Sequence, residues 1–247
     1  MRVTLLVYGA GQVVARLLRR MLPALERCQH PWCKLIGVTG VDTAGAMSKK
    51  PSDAMQFTFD FEKAKEAIVY LASKMRSGMT KYTACKLLFL ADKYHLVRYG
   101  RTITGDKYFA LPYGPVPTKL LDLLSGVVAG AEADEQVAAL SALLTIDHAF
   151  RDPRISAPRH LPQGHLSKSD IEALDEIIKR YGRKTFAELR ALTHELAAYQ
   201  NAWTGRGTSQ SAPMAFEDFF EEDPDALVGV LEEAIEDSRL RKAFPAR

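Results

Sequence analysis

Cysteine is scarce in this chain: Cys28, Cys33 and Cys85 are the whole complement of 247 residues. An odd, sparse set does not make a disulfide framework, and it fits a reducing, cytoplasmic compartment. Long apolar runs are missing too. No run of 18 apolar residues occurs, so no transmembrane helix and no membrane partner are expected. Neither sign of charge is in large excess. The 33 Lys and Arg against 30 Asp and Glu leave a net charge of +3, too small by itself to argue for nucleic acid. Familiar catalytic signatures are absent: there is no Gly-x-Ser-x-Gly, no His-Glu-x-x-His and no P-loop. No internal repeat or long low-complexity tract is found.

What is present is a globular composition. Hydrophobic residues make up 47% and charged residues 26%, enough for a sizeable core. The charge is unevenly spread. Residues 1–54 carry 8 Lys/Arg against 3 Asp/Glu, and residues 205–247 carry 5 against 10. The chain therefore has a basic head, a mildly basic body and an acidic tail. Such asymmetry marks either interaction surfaces or solvated helix faces.

Residues 1–54 read as an N-terminal extension. Val3–Tyr8 has strand character, Gly9-Ala10-Gly11 leads into a helix-like stretch, and Lys34–Val41 ends at Asp42 as a second strand. That is the outline of a βαβ unit that cradles a dinucleotide at a helix N-terminus. The third small residue, however, falls one place late, and the chain turns helical where further βα units belong. Met47 offers an alternative start to a coherent domain, in which case residues 1–46 lie upstream of it. Cys28, His30 and Cys33 supply three borderline metal ligands where a structural zinc site needs four. No metal and no cofactor are expected.

From residue 55 to residue 204 the pattern is that of one helical domain. Phe61, Ala64, Ile68 and Leu71 recur at helical spacing. Thr80–Tyr99 is the longest expected helix, with Leu87, Leu88, Leu90, Ala91 and Tyr94 as its apolar side and Gly100 as its stop. Lys107–Leu111 reads as a short strand. Pro112–Pro117 is expected to be a stiff extended loop outside regular structure, presenting Tyr113 and Val116, with Pro117 opening a helix over Thr118–Leu124. A helix is expected over Glu132–Leu144, and Leu143–Asp147 as a strand paired with Lys107–Leu111. Arg151–His165 reads as a Pro-rich connection. Ser167-x-x-Asp170 and Thr185-x-x-Glu188 are capping boxes opening two more helices, the second running through Leu196 to Trp203. Asp92 and His95 share a helix three residues apart, close enough to face one another. The fold class is mainly α: a single helical domain with a small β-hairpin-like insert, followed by an acidic tail over 205–247.

The run from Lys86 through Leu87-Leu88-Phe89-Leu90-Ala91-Asp92, then Tyr99-Gly100, Ile103-Thr104-Gly105-Asp106 and Tyr108, and finally Gly114-Pro115-Val116-Pro117 resembles the SocA-like antitoxins, the Panacea domain family. The later run from Leu166-Ser167 and Asp170-Ile171 through Tyr181-Gly182 to His194 and Trp203 is similar to the family's C-terminal half. The resemblance implies a bacterial or phage protein that neutralises a cognate toxin by direct binding, and in some members hands the toxin to an ATP-dependent protease. It carries no catalytic residue, so the chain is not expected to be an enzyme. Candidate toxin-binding residues are Arg98, Arg101, Asp106, Tyr108, Tyr113, Gly114, Pro115, Val116 and Pro117. The opposing reading of Gly114–Pro117 is that these residues only shape the fold. The tail Glu217–Asp237 is a candidate mask for a basic toxin surface. Two alternatives of other classes stay open: a nucleic-acid-binding regulator of its own operon, and a nucleotide-binding protein using Gly9–Gly11.

Overall fold

A computed structural model describes residues 55–131, 133–158, 164–220, 223, 226–230 and 233. The Gly9–Gly11 turn and the Cys28–Cys33 cluster lie outside the described residues. The described chain is mainly α with two small antiparallel sheets.

Helix α1 (Phe61–Lys74) starts where the Asp60 carboxylate accepts the Lys63 N–H at 3.1 Å, and it buries Ala64, Ala67, Ile68 and Leu71. Helix α2 (Lys81–Tyr99) is capped by the Thr80 hydroxyl. It ends at Gly100, whose φ of +71° closes the last turn in the left-handed conformation. Helix α2 is the central core helix, buried beyond the expected apolar side of Leu87, Leu88, Leu90, Ala91 and Tyr94. Thr83 through Asp92 are all buried, with His95 and Leu96, because four other helices and a strand of the main sheet pack around it. These are α1, α3 (Thr118–Ala129), α5 (Lys168–Tyr181), α6 (Phe186–Glu195) and strand β2 (Gly114–Pro117).

Strand β1 (Tyr108–Leu111) turns through Pro112-Tyr113 into β2 (Gly114–Pro117), with Tyr108 opposite Pro117 and Leu111 opposite Gly114. This corrects the expectation that Pro112–Pro117 stays outside regular structure. The prolines are two residues apart, so both ring nitrogens point to the same side of the strand. Thr118 N donates to Lys107 O at 3.0 Å, which puts the even-numbered amides on the β1 side. Pro115 and Pro117 therefore face away from the ladder, on an edge strand, where a missing N–H costs no bond. On the other side of β1 lies β5 (Ala212–Pro213), giving the order β2-β1-β5.

Strand β3 (Thr145–Asp147) pairs with β4 (Arg154–Ser156), not with Lys107–Leu111. Both edges of β1 are already taken, and the short connection 148–153 makes closure of the local hairpin entropically cheap. Part of the expected Pro-rich connection thus becomes a strand, which also bridges Met79 through Ile155. Helix α4 (Glu135–Ser141) is shorter than the expected 132–144 because Asp134 caps it, accepting from Gln136 and Val137. Both capping boxes form, at Ser167/Asp170 and Thr185/Glu188. The last expected helix breaks at Leu196, which is extended at ψ 133°, into α6 and α7 (Ala197–Thr204).

A 3-10 turn, Phe216–Phe220, closes the core. Phe219 stands 5.5 Å from Phe89 and 5.8 Å from Tyr108, and Phe216 lies 5.0 Å from Phe57, measured between ring centroids. Burying each such ring stabilises the fold by about 2 kcal/mol. No helix among the described residues is long and apolar enough to cross a membrane.

Candidate functional site

The motif residues on α2 and its neighbours sort into three buried polar centres and one exposed tip. The first centre is Asp92, fully buried. Its carboxylate accepts from the Ile103 and Thr104 amides at 2.8 and 3.2 Å, and from the Thr104 and Tyr108 hydroxyls at 2.5 and 2.6 Å. Burial pushes the carboxyl upward, and these four donors pull the other way. The cluster clamps the 101–108 turn onto α2. Gly105 sits in that turn at φ +68°, and a Cβ there would stand 2.0 Å from the Thr58 carbonyl oxygen. Only glycine fits.

Asp106 is the second centre. Pro117 offers α3 no side-chain cap. Asp106 supplies one from a distance, accepting from Leu120 N at 2.9 Å, Lys119 N at 3.2 Å and the Thr118 hydroxyl at 3.2 Å. The third centre joins α2 to α5. His95 Nδ1 donates to the Arg101 carbonyl at 2.7 Å, and its Nε2 faces Ser169 Oγ at 3.0 Å and Asp170 Oδ1 at 3.1 Å. Arg101 meets the same Oδ1 at 2.9 Å, and Lys63 meets Oδ2 at 3.4 Å. Burial raises the Asp170 carboxyl, but His95, Ser167 and Arg101 together hold it well below the usual carboxylate range. Asp92 and His95, three apart on α2, thus serve different networks and do not pair.

The exposed tip is the β1–β2 hairpin. Tyr113 is 63% exposed. The Arg190 guanidinium lies 4.9 Å over its ring and reaches the Pro112 carbonyl at 3.4 Å. Beneath the tip, Lys86 is only 2% exposed, and its Nζ donates to the Pro115 carbonyl at 2.7 Å. That carbonyl points outward from edge strand β2 and would otherwise lack a partner. Burial, with the Arg190 charge nearby, pushes the Lys86 ammonium down to about 7. Gly114, at φ +100°, leaves the space: a Cβ there would sit 2.5 Å from Lys86 Nζ and 3.1 Å from both Thr193 and His194. His194 stacks on Tyr199 at 4.4 Å, Tyr199 on Trp203 at 5.9 Å, and Arg206 covers Trp203 at 3.7 Å. The Tyr199 hydroxyl donates to the Leu111 carbonyl at 2.9 Å, so this column supports the hairpin from behind.

The candidate residues are therefore not one patch. Asp106, Tyr108, Gly114, Pro115 and Pro117 are buried, Val116 and Arg101 are half-buried, and Tyr113 and Arg98 are exposed. Tyr113 stands near the first turns of α2, where Lys86 reaches β2. Arg98 lies on its last turn, over Tyr94 and Tyr99. Sequence reasoning did not single out Lys86, Arg190 or Tyr199 as working residues. A lysine placed among Leu87, Leu88 and Phe89 was the available signal for the first.

Residues 85–200 match the family model for the antitoxin SocA-like, Panacea domain. No curated protein matches the chain, and no solved structure does. From Cys85 to Gln200 the chain is similar to the SocA-like antitoxin, Panacea domain family.

Proposed function

We propose that this chain is an antitoxin that neutralises a cognate toxin by binding it directly, without catalysing a reaction. The family match over residues 85–200 carries the reading. The hairpin supports it. Tyr113 is presented on a two-residue turn, braced by Arg190 above and by the Lys86–Pro115 bond below. An aromatic held in place before a partner arrives loses little entropy on binding, and Tyr and Arg are frequent interface anchors. Tyr113, Val116 and Arg98 are the candidates a partner can touch. Asp106, Tyr108, Gly114, Pro115 and Pro117 act by shaping the surface, and Arg101 by tying the 101–108 turn to Asp170.

The test is co-expression with each open reading frame that flanks the gene, scored for growth and for pull-down. A neighbour that is toxic alone, harmless beside this chain and recovered with it establishes the function. If no neighbour is toxic or bound, the antitoxin reading falls. Toxin recovered at full abundance indicates sequestration, whereas toxin that disappears only when the chain is present indicates delivery to a protease.

A further inference from the structure

A groove of about 1560 Å³ opens where the end of α1, the start of α2, the β3–β4 connection and the α5–α6 junction meet. It exceeds the roughly 300–1,000 Å³ of small-molecule pockets, so its scale fits a segment of a macromolecule. Arg76, Arg151, Arg154 and Arg183 line it together with Lys74, Lys179 and Lys184, and Asp152 is the one acidic residue among the described lining. None of the four arginines has a carboxylate within ion-pair distance among the described residues. Such an unneutralised cluster is a field that an anionic partner relieves.

Exposed aromatic residues share the groove with these charges. Tyr82, Phe150 and Tyr113 are 44%, 51% and 63% exposed and line the same groove. Each ring already carries a cation: Lys81 at 5.2 Å, Arg154 at 5.5 Å and Arg190 at 4.9 Å. A guanidinium laid on a ring keeps its fork open to a carboxylate or a phosphate, and the protein-binding reading above selects the carboxylate. The chain's own acidic tail, where described, lies elsewhere. Val230 and Glu233 pack beside Gly100, at the far end of the 19-residue α2 from Thr80 and Tyr82, a separation of about 27 Å.

We propose that this groove seats an acidic, extended segment of the protein partner, with its carboxylates on Arg76, Arg151, Arg154 and Arg183 and its end packed against Tyr113. The proposal rests on the protein-binding reading above and names the partner's chemistry. The test uses the full chain and a fluorescent peptide of alternating glutamate and leucine. An oligothymidylate and a neutral peptide of the same length serve as comparison probes, at about 50 and about 200 mM salt. Arg151→Glu/Arg183→Glu removes groove charge. Lys107→Glu/Lys119→Glu makes the same charge change at exposed positions outside the groove. All four side chains are exposed, so both variants should melt like the parent.

The expected result is salt-sensitive binding of the acidic peptide that falls about tenfold or more in the groove variant and stays within about twofold of the parent in the control. Equal losses in both variants would reduce the effect to net charge and overturn the proposal. So would tighter binding of the oligothymidylate that the groove variant abolishes, which would make the groove a nucleic-acid site. A chain that rescues growth from its toxin yet ignores the acidic peptide keeps the antitoxin function and loses the groove.

Discussion

Lys86 is the residue whose removal tests the most of this structure at once. Its ammonium is buried with one hydrogen-bond acceptor and is pushed down to about 7 from an ordinary value of 10.5. Between those two values the unfolded chain holds a proton that the folded chain has released, so stability rises with pH. Each unit is worth about 1.4 kcal/mol. Allowing for half-titration at the start, the gain from pH 7 to pH 9 is about 2 kcal/mol. The rise levels off there. Burial pushes the neighbouring Cys85 thiol up to about 12 from 9.0, so above pH 9 the unfolded chain loses that proton first, a contribution that lowers stability as pH rises. The two slopes nearly cancel until Lys86 finishes titrating. Beyond that, the raised hydroxyls of Tyr70 and Tyr108 add to the decline. Urea unfolding followed by circular dichroism at pH 7, 8 and 9 reads this directly. Lys86→Met fills a similar volume, gives up the Pro115 bond and should show no such rise. A wild type that is flat or falling across this range, or a variant that rises in parallel with it, would refute the assignment of the pH dependence to Lys86.

Other perturbations have equally definite outcomes. Asp92→Ala strands four buried donors and should cost about 3 kcal/mol or more in chemical denaturation; a loss below about 1 kcal/mol would show that the clamp on the 101–108 turn is dispensable. Gly105→Ala forces a Cβ against the Thr58 carbonyl at positive φ and should cost at least about 2 kcal/mol, whereas Gly130→Ala, also at positive φ but with open space around it, should cost about 1 kcal/mol. Asp170 is held below its ordinary 3.8, so its contribution is present above that value and is lost as pH falls through the folded-state value. Asp170→Asn should be less stable at neutral pH and should flatten the acid limb of the stability curve below about pH 4. Tyr113→Ala should leave stability within about 0.5 kcal/mol and weaken toxin binding at least about tenfold; full neutralisation by that variant would move the interface away from the hairpin.

Much was legible in the sequence where the governing interactions are local. Thr80, Ser167 and Thr185 announce helix starts because a cap needs only a side-chain oxygen and an amide three residues on. Gly100 announces a stop, because its left-handed φ is a property of one residue. The stripe of Ala64, Ile68 and Leu71 gave the buried face of α1. The motif from Lys86 to Pro117 pointed, without any geometry, to the family whose model matches residues 85–200. Tertiary structure decided what depends on partners distant along the chain. Pro115 and Pro117 became a strand because β1 and Lys86 satisfied the opposite sides of the segment. Asp92 and His95 parted company because the 101–108 turn and α5 reached them from different directions. Phe216, Phe219 and Phe220, set in an acidic stretch, entered the core because Phe57, Phe89 and Tyr108 stood there with ring faces and edges to meet. The four groove arginines lie in three separate stretches of the chain, and only folding gathers their charges into one field. Caps and helical stripes act within a few residues, so a sequence can spell them out. Hydrogen bonds and charges between distant segments exist only once the chain has closed on itself.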